Sequence, residues 1–301
     1  MVAPQHNIPA APWRYSQVVP MGDSEFSQWV TLLEARTGIN LPANRKSFLL
    51  TSLSVRMREQ GFADYQAYLD YLLRGAAGRV EWETLVDRLT VHETRFYRDE
   101  HALSVIRDVF LPTCRAEDGR PVQLHYWSVG CASGEEAYTL AMLTDDYFQN
   151  TQQDYQLGIT ANDISTDALA IARKAVYPVN RMTNMPIHWR ARYCTPTEAA
   201  RYQINENIRK RICFTRINLL QLEGSPLGLM DLIYCQNVLI YFKRHTRLVI
   251  LDNLVKQLNF GGMLILGAGE IFDWHHPELE NLSCKGSLVF RRKSEGKGKI
   301  V

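Results

Sequence analysis

No apolar run in this chain approaches the ~20 residues that a membrane-spanning helix needs. The amino terminus lacks the charged-then-apolar pattern of a secretory leader. Six cysteines are scattered through the chain without one Cys-x-x-Cys pair. That spacing speaks against a zinc site and against a disulfide framework, and it suits small buried hydrophobes in a reducing compartment. Charge of one sign is scarce as well. The 301 residues carry a net charge of only +2 at neutral pH, so no global field draws the chain to nucleic acid or to a membrane surface. These absences lead us to expect a cytoplasmic, monomeric protein without metal, nucleic-acid partner or membrane insertion.

Two phosphate-binding patterns are also missing. A dinucleotide fingerprint needs glycine at three set positions, and a P-loop needs Gly-Lys-Ser/Thr. The loop that most resembles them is Gly130-Cys131-Ala132-Ser133-Gly134, between an apolar run, Leu124–Val129, and a helical pattern opening on Glu135 and Glu136. A strand, a loop of small residues and a helix in that order suit a nucleotide-like ligand at a strand's carboxyl end. The two acids would repel a pyrophosphate held at the helix N-terminus. They suit a ligand with a positive end, such as the amino group or sulfonium of S-adenosylmethionine. A tight turn with acids complementing the helix dipole is the plainer alternative.

The rest of the chain gives that loop a context. Residues 1–21 hold four prolines and no periodicity, and 294–301 are a polar end, so both are expected as tails. Four helical patterns fill 22–90: one capped by Asp23 or Ser24, one over 43–60, one from Asp64 to Gly75, and one from Val80 to Leu89. The second carries Arg45, Lys46, Arg56 and Arg58, a solvated face or a landing site for an acidic partner helix. From 91 to 293 strands and helices alternate, which predicts a parallel sheet with helices on both faces. The stretch 177–211 breaks that rhythm. It is too long for a loop between helix and strand, and it is expected to be an inserted subdomain with strands near Trp189–Cys194 and Arg201–Ile204.

Polar groups recur at successive strand ends: Gly130 to Glu135, then Asn162-Asp163, then Asn218-Leu219, then Gln236 to Tyr241. Each is weak alone, and Asp163 is as good a helix cap as a ribose ligand. Four in a row mark a crevice outside the carboxyl ends of the strands. Upstream, Thr90-Val91-His92-Glu93-Thr94-Arg95-Phe96-Tyr97-Arg98 joins the helical part to the sheet part, as a lid or as a plain polar linker.

Thr90 to Arg98, Ser128 to Met142, Asn162 to Leu169, Ile217 to Leu220 and Cys235 to Phe242 occur in the order found in the chemotaxis receptor glutamate methyltransferases, the CheR family. The chain resembles that family from about Asp23 to Arg292, and within it looks like the branch serving type IV pilus chemosensory systems. The resemblance implies a Rossmann-like S-adenosylmethionine-dependent α/β domain, an all-helical domain before it and a small inserted β-subdomain. It implies cofactor contacts from His92, Thr94, Arg98, Glu135, Asp163, Asn218, Leu219, Asn237 and Val238. Arg98 and Tyr241 would face the methyl group and the incoming carboxylate. The cytoplasmic helices of a methyl-accepting chemoreceptor would be the partner. His92 stands where Asn is usual, Tyr97 where Phe is usual, and Gln236 where Arg is common. Gly267-Ala268-Gly269-Glu270 replaces Gly-His-Ser-Glu. These departures keep two alternatives open: a non-catalytic cofactor-binding docking protein, and a methyltransferase for another protein.

Overall fold

The computed structural model describes residues 20–116, 119–222 and 228–294, so the two expected tails fall almost wholly outside it. The first part is helical. α1 (Asp23–Thr37) begins one residue earlier than expected, behind Gly22. No side chain caps α1; the Glu25 carboxylate reaches back to accept the Gly22 N–H at 2.8 Å, the reciprocal half of a capping box. α2 (Lys46–Gln60), α3 (Tyr65–Leu72) and α4 (Gly75–Leu89) follow. Asp64 caps α3 by accepting the Ala67 N–H at 2.8 Å. Trp29, Leu33, Leu49, Leu53, Tyr68 and Leu85 interlock as the core of this part.

One of the four basic residues expected on a solvated face is inside. Arg56 is 9 % exposed. Its Nε donates to Glu81 Oε1 at 2.8 Å, and its remaining guanidinium nitrogens meet Glu81 and Glu59. The Tyr68 hydroxyl donates to the same Glu81 at 2.6 Å. A charge that far from water needs such pairing, so Arg56 belongs to the joint between α2 and α4 and is no part of a landing surface.

The second part opens with α5 (Glu100–Val105) and then alternates: β1 (Val122–Val129), α6 (Glu135–Thr151), β2 (Tyr155–Asp163) and α7 (Thr166–Lys174). The inserted stretch holds β3 (Val176–Pro178), α8 (Ile187–Tyr193), β4 (Cys194–Thr197), β5 (Arg201–Ile204) and α9 (Glu206–Arg209). The main sheet resumes with β6 (Ile212–Arg216), β7 (Met230–Cys235), α10 (Arg244–Lys256), β8 (Leu258–Gly267), β9 (Leu279–Leu282) and β10 (Ser287–Arg292). Seven strands pair in the order β6-β2-β1-β7-β8-β10-β9. The five from β6 to β8 are parallel, and β10 runs antiparallel to both β8 and β9. This is a Rossmann-like α/β architecture with an antiparallel edge. Successive residues of β1 are buried on opposite faces: Tyr126 joins the cluster under α6, and Trp127 joins the one under α10. That is why β1 reads as a continuous apolar run.

β3, β5 and β4 form a separate antiparallel sheet of three strands. Of the two strands expected there, Arg201–Ile204 is present. Residues 189–193 are instead helical, because Trp189 and Tyr193, four apart, meet edge-on on one face and are buried together in the main core.

Candidate active site

The strand order reverses between β1 and β7, and the crevice lies outside the carboxyl ends of the strands there. A cavity of about 210 Å³ occupies that crevice. Its floor is the loop after β1. Gly130 has φ 67°, and a Cβ there would lie 2.4 Å from Val238 Cγ2. Gly134 has φ 93° and a Cβ would come within 2.8 Å of Ala172. Both positions therefore exclude a side chain by conformation and by space.

Asp163 ends β2 at the cavity wall. Its Oδ2 accepts the Ala132 N–H and its Oδ1 the Ser165 N–H, each at 2.9 Å. Ser165, and not Asp163, caps α7, by accepting the Ala168 N–H at 3.1 Å. The carboxylate is thus fixed by two backbone donors yet keeps lone pairs for a ligand's hydroxyls.

Of the ten residues expected at the site, His92, Thr94, Arg98, Asp163, Asn218, Leu219, Asn237, Val238 and Tyr241 line this one cavity. Glu135 does not. It is 1 % exposed, accepts from the Ser133 hydroxyl at 2.7 Å, and lies 3.3 Å from Arg181 Nη1. Of the two adjacent glutamates, Glu136 is the one that lines the cavity. A helix turns about 100° per residue, so two adjacent acids cannot share a direction. The Ser128 hydroxyl donates to Glu136 at 2.6 Å. Burial pushes the Glu136 carboxyl up to about 8, against the pull of Ser128 and the Arg98 charge. Burial also raises Glu135, against Ser133 and Arg181.

Around the rim, Arg98 Nη1 donates to the Glu93 carbonyl at 2.8 Å, and His92 Nε2 sits 2.9 Å from the Thr90 hydroxyl. Asn218 is already engaged. Its Nδ2 donates to the Arg36 carbonyl at 2.7 Å, and its Oδ1 accepts the Leu220 N–H at 3.1 Å. Asn237 holds φ 61°, a left-handed backbone that asparagine tolerates. The buried Glu270 stabilises the turn after it, accepting the Val238 and Ile240 N–H groups at 3.0 Å each. Burial raises the Glu270 carboxyl, against the pull of those N–H groups. Nothing in the spacing of the chain singled out Glu270 for that support.

A second set of lining residues was equally invisible in the sequence. Ile39, Asn40, Leu41, Arg45 and Phe48 reach the cavity from the helical part. The Asn40 N–H donates to the Tyr241 carbonyl at 2.7 Å, and Ile39 forms an antiparallel bridge with Phe242. The cavity is therefore closed jointly by both parts of the chain. Its wall offers buried carboxylates, hydrogen-bond donors and an apolar patch from Ile217, Leu219 and Val238. That mixture suits a nucleoside with a cationic amino-acid end.

Comparison with known proteins agrees. The family described as "CheR methyltransferase, SAM binding domain" matches residues 92–287, and "CheR methyltransferase, all-alpha domain" matches 24–90. The chain is 28% identical over 248 residues to a "Chemotaxis protein methyltransferase" of Borreliella burgdorferi, covering 82% of this chain and 87% of that one. It is 30% identical over 250 residues to "Chemotaxis protein methyltransferase 2" of Vibrio cholerae, covering 82% and 85%. A Pseudomonas aeruginosa protein also named "Chemotaxis protein methyltransferase 2" is 30% identical over 251 residues, covering 82% and 86%. With family models matching both parts of the fold, the chain belongs to the CheR methyltransferase family and takes S-adenosylmethionine as its cofactor.

Proposed function

We propose that this methyltransferase forms glutamate methyl esters on the cytoplasmic helices of a methyl-accepting chemoreceptor, for adaptation in a chemosensory or pilus-motility pathway. The observation that carries this reading is the closure of one cavity by Arg98, Tyr241 and the helical part together. An acceptor reaching the cavity beside Tyr241 must also meet Ile39 and Asn40. A partner helix can do so more readily than a small molecule. The names of the curated relatives support the same pathway class.

Residues 22–90 would serve as the docking domain and 91–293 as the catalytic one, with 177–211 inserted in it. Asp163 would hold the ribose hydroxyls. Glu136, which faces the cavity, is better placed than Glu135 for the methionine amino group. Ile217, Leu219 and Val238 would cover the adenine, and His92, Thr94, Asn218 and Asn237 would supply the remaining polar contacts. When bound, S-adenosylmethionine supplies an electrophilic methyl group on a sulfonium.

A glutamate side chain has a reference pKa near ~4.3, so the acceptor arrives as a carboxylate and needs no general base. Charge is lost as the neutral ester forms. The protein therefore contributes alignment and exclusion of water more than proton transfer. Arg98 offers directional N–H donors to orient the carboxylate. Its tie to the Glu93 carbonyl limits how tightly it can hold the anion, and tight ground-state binding would slow the step. Tyr241, which also lines the cavity, would help to position the methyl donor or the nucleophile.

Incubation with radiolabelled cofactor and receptor-containing membranes should place base-labile label on the receptor, and Arg98→Ala should abolish it even at saturating cofactor. Cofactor binding without base-labile label on any receptor would overturn the acceptor and leave the cofactor assignment standing.

A further inference from the structure

The wall segment 90–98 has no helix or strand, so tertiary contacts must hold it in place. Its second half is gripped by the inserted subdomain. Phe96 is fully buried and meets Tyr177 edge-on, with ring centroids 5.0 Å apart. Tyr97 meets Trp189 in the same way at 5.4 Å. Between these contacts Arg181 ties the two segments through both its carbonyl and its side chain. The Phe96 N–H donates to the Arg181 carbonyl at 3.1 Å, and Arg181 Nη1 donates to the Thr94 carbonyl at 2.6 Å. The same nitrogen lies 3.3 Å from Glu135 Oε1, in the first turn of α6. One guanidinium thus joins the cavity wall, the insertion and the helix that follows the glycine loop. Arg181 itself does not line the cavity, whereas Thr94 and Arg98 do.

We infer that Arg181 is a positioning residue for the cofactor: it holds the Thr94–Arg98 wall against α6, so that the inserted subdomain sets cofactor affinity without touching the cofactor. This rests on the methyltransferase assignment alone and is independent of which carboxylate accepts the methyl group. It also gives Glu135 a purpose. A buried carboxylate beside Arg181 fixes the guanidinium in the orientation that reaches Thr94. Both contacts come from Nη1 of a rigid planar group, whereas a lysine ammonium on a flexible stem of different length does not hold its nitrogen fixed at that point.

The test is calorimetry of the intact chain with S-adenosylhomocysteine, beside thermal melting and hydrogen exchange. Arg181→Ala should raise Kd roughly tenfold, the scale of about one lost hydrogen bond, and should speed exchange at the Phe96 amide. Its melting temperature should also fall, because Glu135 is left buried and unpaired. Adding Glu135→Gln to Arg181→Ala should restore the melting temperature but not the affinity. Arg181→Lys keeps a charge beside Glu135, so it should melt near the unaltered chain and still bind more weakly. Unaltered Kd values in both Arg181→Lys and the Arg181→Ala/Glu135→Gln pair would reduce Arg181 to a stability contact and overturn the inference. Failure of the unaltered chain to bind would overturn the cofactor assignment, and the inference with it.

Discussion

As the proposed partner of the cofactor's amino group, Glu136 would tie protonation to ligand binding. Its carboxyl is raised from 4.5 to about 8 by burial. An acid raised in this way binds a proton in the folded state over a range where the unfolded chain has lost it. The empty protein is therefore stabilised by this group below about 4.5 and loses that contribution as pH rises toward about 8. Binding has the opposite sign, because a cationic amino group favours the carboxylate. Cofactor affinity should rise with pH up to about 8 and then level, with a proton released on binding below that point. Calorimetry in buffers of different ionisation enthalpy measures that proton. Glu136→Gln should flatten the pH profile and weaken binding, while Glu135→Gln should leave the profile's shape intact. The choice between two adjacent glutamates was not legible in the sequence, since both follow Gly134 and both are acids. Which one points into the cavity depends on where α6 sits on the sheet.

At the scale of elements, α2 shows that its residues did carry a usable signal. Leu49, Leu53, Arg56 and Met57 fall on one helical stripe, and all four are buried. On α4, Glu81 falls on the stripe of Trp82 and Leu85. A charge on the apolar stripe of each of two neighbouring helices points to a buried pair, and the tally of basic residues concealed it. The two arginines should separate cleanly. Arg56→Glu opposes Glu81 and Glu59 in a buried site, and should cost about 3–5 kcal/mol of stability, read from denaturant unfolding. Arg58→Glu lies on the exposed face, where Nε reaches only the Ser54 carbonyl of its own helix among its hydrogen bonds. Its stability should stay within about 0.5 kcal/mol. If α2 docks an acidic receptor helix, the same change should slow receptor methylation at low salt and leave cofactor Kd unaltered. The strands were easier to read than the insertion. Their apolar runs are buried on both faces, whereas Trp189 to Tyr193 carries aromatic residues that suit strand and helix alike.

The whole molecule works as two parts clasped across one cavity. The Asp87 carboxylate accepts the Thr166 N–H at 2.9 Å and the Thr166 hydroxyl at 2.8 Å, joining α4 to the start of α7. Lys243 pairs with Glu34 at 2.7 Å, Arg216 meets Glu83, and the Asn218 amide reaches the Arg36 carbonyl. Gly38 allows the closest approach, since a Cβ there would lie 2.5 Å from the Phe242 ring. Asp87→Ala removes two hydrogen bonds to a charged group and should cost about 2 kcal/mol. Because the helical part closes the cavity, the same change should raise cofactor Kd, measurable by the same titration. An unchanged Kd would mean that the helical part contributes docking alone.

The sequence by itself determined the order of elements, the loop that admits a ligand and the strand-end residues from Asp163 to Tyr241. Those are local facts: periodicity, glycines that no side chain can replace, and polar groups that end apolar runs. The tertiary structure alone decided which of the two adjacent glutamates faces the cavity, that Arg56 is inside, that Glu270 supports the Asn237 turn, and that Arg181 ties the cavity wall to α6. Each of these depends on contacts between segments far apart in the chain, and pairwise distances of that kind are set by packing and not by spacing along the backbone.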